Sequence, residues 1–80
     1  MDKQSATVAD LRRGDTAKIV EIRAEGIMRQ RLLDFGFRPG EIVKVIRLAP
    51  LADPIELSVR GSYLSLRRSE ASLIGVEKQT

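Results

Sequence analysis

The chain has 80 residues, enough for one small domain. It holds no cysteine and no histidine, which excludes disulfide stapling, thiolate or imidazole ligation of zinc, haem or iron–sulfur clusters, and any Ser-His or Cys-His nucleophile. Fourteen basic residues against eleven acidic leave a net charge of +3, too mild to require a nucleic-acid partner.

Charges interrupt every apolar run well short of the roughly 20 residues that span a bilayer. The start, MDKQSATVADLRRGD, lacks the apolar segment of a signal peptide. The sequence therefore reads as soluble and cytoplasmic, with no direct membrane insertion. Residues 1–7 are polar and expected to fray, residues 8–77 to form the domain, and residues 78–80 to be a tail.

Val8 to Leu11 carry apolar groups suited to closing the underside of a barrel. Arg13-Gly14-Asp15 is a turn signal. Thr16 to Arg23 reads as a strand. Ala17 and Ile19 share one face, while Val20 and Ile22 fall on the other. That change of face predicts a bulge or sharp bend, as a small barrel requires.

Gly26 closes this strand, and the spacing predicts a helix over Ile27 to Phe35. Met28, Leu32 and Phe35 fall at i, i+4 and i+7, a core-facing stripe. Gly36 stands where a helix-ending residue of positive φ is expected. Arg29, Arg31 and Arg38 cluster in or just after the helix. They fit an anionic partner, or a solvated face in which Arg31 pairs with Asp34. Phe35 and Phe37 are expected in the core or on its rim.

Pro39-Gly40 makes the next turn, and Glu41 to Ala49 reads as a central strand with two apolar faces. Gly14-Asp15-x-Ala17-Lys18-Ile19-Val20 is echoed by Gly40-Glu41-x-Val43-Lys44-Val45-Ile46, read simply as turn, acid, then strand. The segment from Pro50 to Pro54 is a loop, with Leu51 at its tip. That leucine either folds over the barrel or stands out as a docking handle. Ile55, Leu57 and Val59 alternate with Glu56, Ser58 and Arg60, the clearest strand pattern of the chain. Gly61-Ser62 is read as a tight turn into Tyr63 to Arg67, where Leu64 and Leu66 point inward. Ser69 is expected to cap a short helical turn before a last strand, Leu73 to Glu77. The sum is a mainly β fold: a small, partly open SH3-like barrel of about five strands, with one short helix after the first.

No phosphate-binding glycine loop occurs. Asp53, Glu56 and Glu70 match no metal-loop spacing and read as solvated carboxylates. No catalytic residue, cofactor or metal site is expected.

Four stretches resemble the ferrous iron transport protein A (FeoA) family. They are Leu11-Arg12-Arg13-Gly14-Asp15-x-Ala17; Arg31-Leu32-Leu33-Asp34-Phe35-Gly36-Phe37-Arg38-Pro39-Gly40; Ala49-Pro50-Leu51-Ala52-Asp53-Pro54; and Val59-Arg60-Gly61 with Leu64-Ser65-Leu66-Arg67. Their order and spacing run from about Val8 to Val76. The family usually has glycine where Ala52 stands, so a positive φ there would strain the alanine. The resemblance implies an SH3-like barrel and a small cytoplasmic accessory of bacterial ferrous iron uptake. Its implied partner is a membrane permease carrying a G-protein domain on its cytoplasmic side.

Without histidine, cysteine or a carboxylate cluster, the chain is not expected to carry iron itself. It reads as an adaptor that binds the permease. A GTPase-activating role through an arginine finger is one alternative. A small nucleic-acid-binding barrel is another, disfavoured by an aromatic content of only 4% and the small net charge. The expected working surface is Arg29, Leu33 and Arg38 on the helix flank, with Leu51 as a second anchor. Leu33 lies one position off the core stripe, so it sits on the helix shoulder or widens the buried stripe.

Overall fold

The computed structural model describes residues 6–79. Six strands form one antiparallel sheet in the order β1-β6-β2-β3-β4-β5. They are β1 (Ala6–Thr7), β2 (Thr16–Ile22), β3 (Ile42–Leu48), β4 (Ile55–Val59), β5 (Ser62–Leu66) and β6 (Ile74–Gln79). Helix α1 (Gly26–Asp34) joins β2 to β3, and a single turn, α2 (Arg68–Ala71), precedes β6. The sheet curls into the partly open SH3-like barrel that the alternation predicts. Its two edges are β1 and β5.

Two boundaries differ from the sequence reading. Ala6 and Thr7, read with the polar start, pair with Val76 and Gly75 as β1. Lys78 and Gln79, read as tail, extend β6 opposite Ala17 and Thr16. Main-chain pairing recruits these polar segments, and a side-chain pattern carries no signal for it. The expected fraying of residues 1–5 lies outside the described residues.

The predicted bulge is present. Ile19 pairs with Val76 and Glu21 with Gly75, so Val20 is the extra residue of β2. Ala17 and Ile19 point into the core, Val20 points out, and Ile22 packs back against the core after the shift of face. The same event recurs in β3. Val45 pairs with Leu57 and Arg47 with Glu56, leaving Ile46 extra. This explains the two apolar faces of β3: Val43 and Val45 are inward before the bulge, and Leu48 packs on the core after it.

The sequence echo has a structural counterpart. The two copies pair antiparallel through Thr16↔Lys44, Ala17↔Val43 and Lys18↔Ile42. Gly14 N–H donates to Val45 C=O (2.9 Å) and Val45 N–H to Asp15 C=O (3.0 Å). The corresponding bonds at the other end run from Gly40 N–H to Ile19 C=O (2.7 Å) and from Ile19 N–H to Glu41 C=O (2.8 Å). Turn, strand and bulge are thus related by a local two-fold between Ala17 and Val43.

One core fills the barrel. Phe37, Ile19, Leu32, Ile55, Leu57, Ile74, Val8, Val43, Val45 and Val59 are its largest fully buried side chains. Val8 and Leu11 close the bottom as expected, through a helical turn that Thr7 and Asp10 cap reciprocally. No helix among the described residues is long and apolar enough to cross a membrane.

Candidate docking surface

Helix α1 is short and held at few points. Leu32 is its one buried residue, and Met28 is half-buried against the core. Its C-terminus closes in a Schellman arrangement: Phe37 N–H donates to Leu32 C=O (2.9 Å) and Gly36 N–H to Leu33 C=O (3.0 Å). Gly36 takes φ +97°, as expected of its position. This turn carries Phe37 into the core in place of Phe35. Phe35 is 43% exposed, which corrects its place in the core stripe. The periodicity ran one residue past the helix, because Phe35 is already the cap.

Arg29 is exposed, and its Nη1 donates to Ile22 C=O at 3.2 Å, tying the helix to the end of β2. Leu33 is half-buried on the helix shoulder. Arg38 reaches back so that its Nη2 lies 3.5 Å from Leu33 C=O. Leu33 and Arg38 line one cleft of about 330 Å³ with Asp34, Phe35, Gly36, Arg60 and Ser62. The expected Arg31–Asp34 pair is absent: Asp34 Oδ1 accepts from Gln30 Nε2 at 2.9 Å.

Arg60 is the residue of this cleft that the sequence reading missed. The β4–β5 turn consists of Arg60 and Gly61, both at positive φ (51° and 84°), one residue earlier than expected. This is the two-residue hairpin geometry that matches strand twist. Arg60 Nη1 lies 2.8 Å from Glu41 Oε2, which holds the guanidinium beside the helix end. The signal was the length of the alternating run, which ends at Val59.

Leu51 lies elsewhere. It is 99% exposed at the tip of the β3–β4 loop. That loop meets the N-terminal end of β4, whereas the cleft adjoins its C-terminal end. The structure therefore brings Leu33 and Arg38 together, with Arg29 one helical turn away, and places Leu51 at the other end of the hairpin. The loop is braced by Ala49 N–H on Pro54 C=O (3.1 Å) and Ala52 N–H on Ala49 C=O (2.7 Å). Leu51 and Ala52 both adopt left-handed backbone, at φ 69° and 62°. The Asp53–Pro54 peptide is cis. A second cleft, about 400 Å³, lies beside the loop, between Arg47, Leu48, Ala49, Pro50, Pro54, Glu56 and Ser65.

The three carboxylates weighed as cation ligands are spent separately. Asp53 Oδ1 accepts from Arg68 N–H (2.9 Å), so that the loop caps α2. Glu70 Oε1 accepts from Arg67 N–H (2.9 Å), and Glu56 pairs with Arg47 (2.8 Å). Glu70 and Asp53 thus do the capping that Ser69 was expected to do. Arg68 also donates through Nη1 to Ala9 C=O. Among the described residues no three acidic side chains gather.

The Asp15 carboxyl titrates below its ordinary value. Its Oδ2 accepts from Arg12 N–H at 2.7 Å and lies 3.5 Å from Lys78 Nζ. The backbone hydrogen bond first, and the lysine charge second, hold its carboxyl below the ordinary value of 3.8. This is a structural role at a turn, away from both clefts.

Residues 6–78 match the family model described as FeoA domain. The chain is 39% identical over 70 residues, 88% of its length, to a Fe(2+) transport protein A/Fe(2+) transporter FeoB fusion protein of Porphyromonas gingivalis. It spans 8% of that protein's length. Among solved structures, it resembles the FeoA protein from Chlorobium tepidum with a TM-score of 0.87 and 40% identity, over 94% of this chain and 71% of that one. It also resembles Stenotrophomonas maltophilia FeoA, described as a procaryotic SH3 domain protein complexed with zinc. There the TM-score is 0.82 and the identity 25%, over 92% of this chain and 95% of that one.

Proposed function

Since this chain belongs to the FeoA family, we propose that it is a cytoplasmic accessory of ferrous iron uptake that docks on the cytoplasmic part of a ferrous iron permease bearing a G-protein domain. The observation that carries this reading is the Porphyromonas gingivalis relative, in which a Fe(2+) transport protein A is fused to a Fe(2+) transporter FeoB. Fusion holds two modules at high effective concentration, which is useful where separate chains must meet. The chemistry of this chain agrees with a binding role. At the helix end the half-buried Leu33 and the 43% exposed Phe35 stand beside the exposed Arg29 and Arg38, the usual anatomy of a docking patch.

The contacts are assigned to the helix-end cleft, with Leu33 as apolar anchor and Arg29 and Arg38 as charged rim. Leu51 is a separate anchor at the far end of the β3–β4 hairpin. The two anchors are fixed differently, one by a Schellman turn and the other by a braced loop. A pull-down from bacterial membranes with the tagged chain tests the reading. It should retain the ferrous iron permease at low salt and release it as salt rises. Recovery of nucleic acid in its place would favour the alternative barrel function.

A further inference from the structure

We propose that the permease docks by strand addition. In this proposal, which rests on the docking role above, an extended segment of its cytoplasmic part lies along the free edge of β5. The segment has a neutral stretch flanked by carboxylates.

Among the described residues β5 is the last strand of the sheet and pairs only with β4. The two-residue turn makes Val59 and Ser62 a closing hydrogen-bonded pair, so Ser62, Leu64 and Leu66 direct their backbone groups to β4. Tyr63 and Ser65 then turn theirs outward. Among the described residues no backbone bond from another element reaches either. Both side chains are exposed as well, Tyr63 at 67%.

Edge strands are normally guarded by a lysine, a proline, a bulge or extreme shortness. The opposite edge, β1, has only two residues. β5 has five, Ser-Tyr-Leu-Ser-Leu, with no charge and no proline, and its register with β4 runs without a bulge. It is an unguarded template for a further strand.

The surroundings say which strand fits. Arg60 precedes β5, and Arg67 and Arg68 follow it. Glu41 and Glu56 are engaged by Arg60 and Arg47, and Asp34 by Gln30. The guanidinium groups of Arg38 at one end and Arg67 at the other have no carboxylate partner among the described residues. A second copy of β5, paired antiparallel about Leu64, would set Arg67 beside the partner's Arg60–Gly61 turn. Like charges would then meet, so self-pairing is disfavoured. A neutral segment with acidic flanks meets the charge at both ends. β5 also joins the two clefts, since Ser62 lines the helix-end cleft and Ser65 the loop cleft. A strand of five residues reaches about 17 Å, enough to pass from one to the other.

Amide hydrogen exchange on the full chain tests this, with two probes. The first is the purified cytoplasmic part of the permease. On binding, Tyr63 and Ser65 N–H should gain about tenfold or more protection. Protection confined to α1 or the β3–β4 loop overturns strand addition while leaving docking intact. The second is a pair of synthetic peptides sharing one neutral β-prone stretch, flanked by glutamates or by lysines. The glutamate peptide alone should protect the two amides, more strongly at low salt. Failure of both peptides overturns the edge proposal whatever the permease does. Protection of the two amides in the free chain, with a dimer on sedimentation, would assign the edge to a second copy and overturn it too. In Ser65→Pro the lost N–H is an outward one, so the fold should persist by thermal melting while permease affinity falls about tenfold. Unchanged affinity of the folded variant contradicts the proposal.

Discussion

Ala52 shows how one side chain registers a backbone constraint. A left-handed φ costs a residue with a Cβ roughly 1 kcal/mol relative to glycine. Ala52 sits at φ 62° in a loop braced on both sides, so the strain flagged by its departure from glycine is present. Ala52→Gly should raise stability by about 0.5–1 kcal/mol in urea unfolding, part of the gain being offset by the freer unfolded chain. Lower stability would mean that the alanine methyl makes a contact worth more than the strain. Asp15 makes the second residue-scale prediction. Its folded carboxyl titrates below the unfolded value of 3.8, so its stabilisation is complete above that value and is lost as pH falls through the folded one. The melting-temperature difference between the chain and Asp15→Asn should therefore be present at neutral pH and vanish in strong acid. A difference independent of pH would assign the effect to the turn geometry alone.

At the scale of elements, α1 depends on one buried side chain and one turn. Leu32 is 1% exposed and sits under the Schellman bond from Phe37. Leu32→Ala should cost about 2–5 kcal/mol, read from urea midpoints. Gly36→Ala should also destabilise, by about 1–2 kcal/mol. It forces a positive φ on alanine, and its Cβ would come within 3.2 Å of Val59 Cγ1. A loss of Leu32 without effect would place the core face of the helix elsewhere. These elements were also where the sequence was most and least legible. The bulge at Val20 could be read because apolar residues change face in mid-strand. The bulge at Ile46 was hidden as a two-faced apolar strand. Phe35 fitted the helical period and still lies outside the core, since periodicity does not report where a helix caps. β1 and the end of β6 are held by main-chain pairing, so their side chains carried no pattern to read. In the candidate site, Arg29, Leu33 and Arg38 were nameable from their positions on and after the helix. Arg60 was not, because the turn was placed one residue late. Nothing in the sequence told on which end of the barrel Leu51 would fall.

At the scale of the molecule, the barrel is a frame built round a single core. Its core is one apolar cluster with no buried polar or charged residue among those described. What distinguishes one face is the set around the β4–β5 hairpin: the cleft of Leu33, Arg38 and Arg60 at one end, and the cleft and exposed Leu51 at the other. In the proposed function, this face binds the permease. The most direct test is the affinity of the permease's cytoplasmic part for the intact chain, Leu33→Glu, Leu51→Glu and Arg29→Ala, each first shown to melt cooperatively. We expect both glutamate variants to stay folded and to lose about tenfold or more in affinity. Arg29→Ala should slow association, with a deficit that shrinks as salt rises. Three folded variants that bind as tightly as the intact chain would place the interface elsewhere on the barrel and contradict the account.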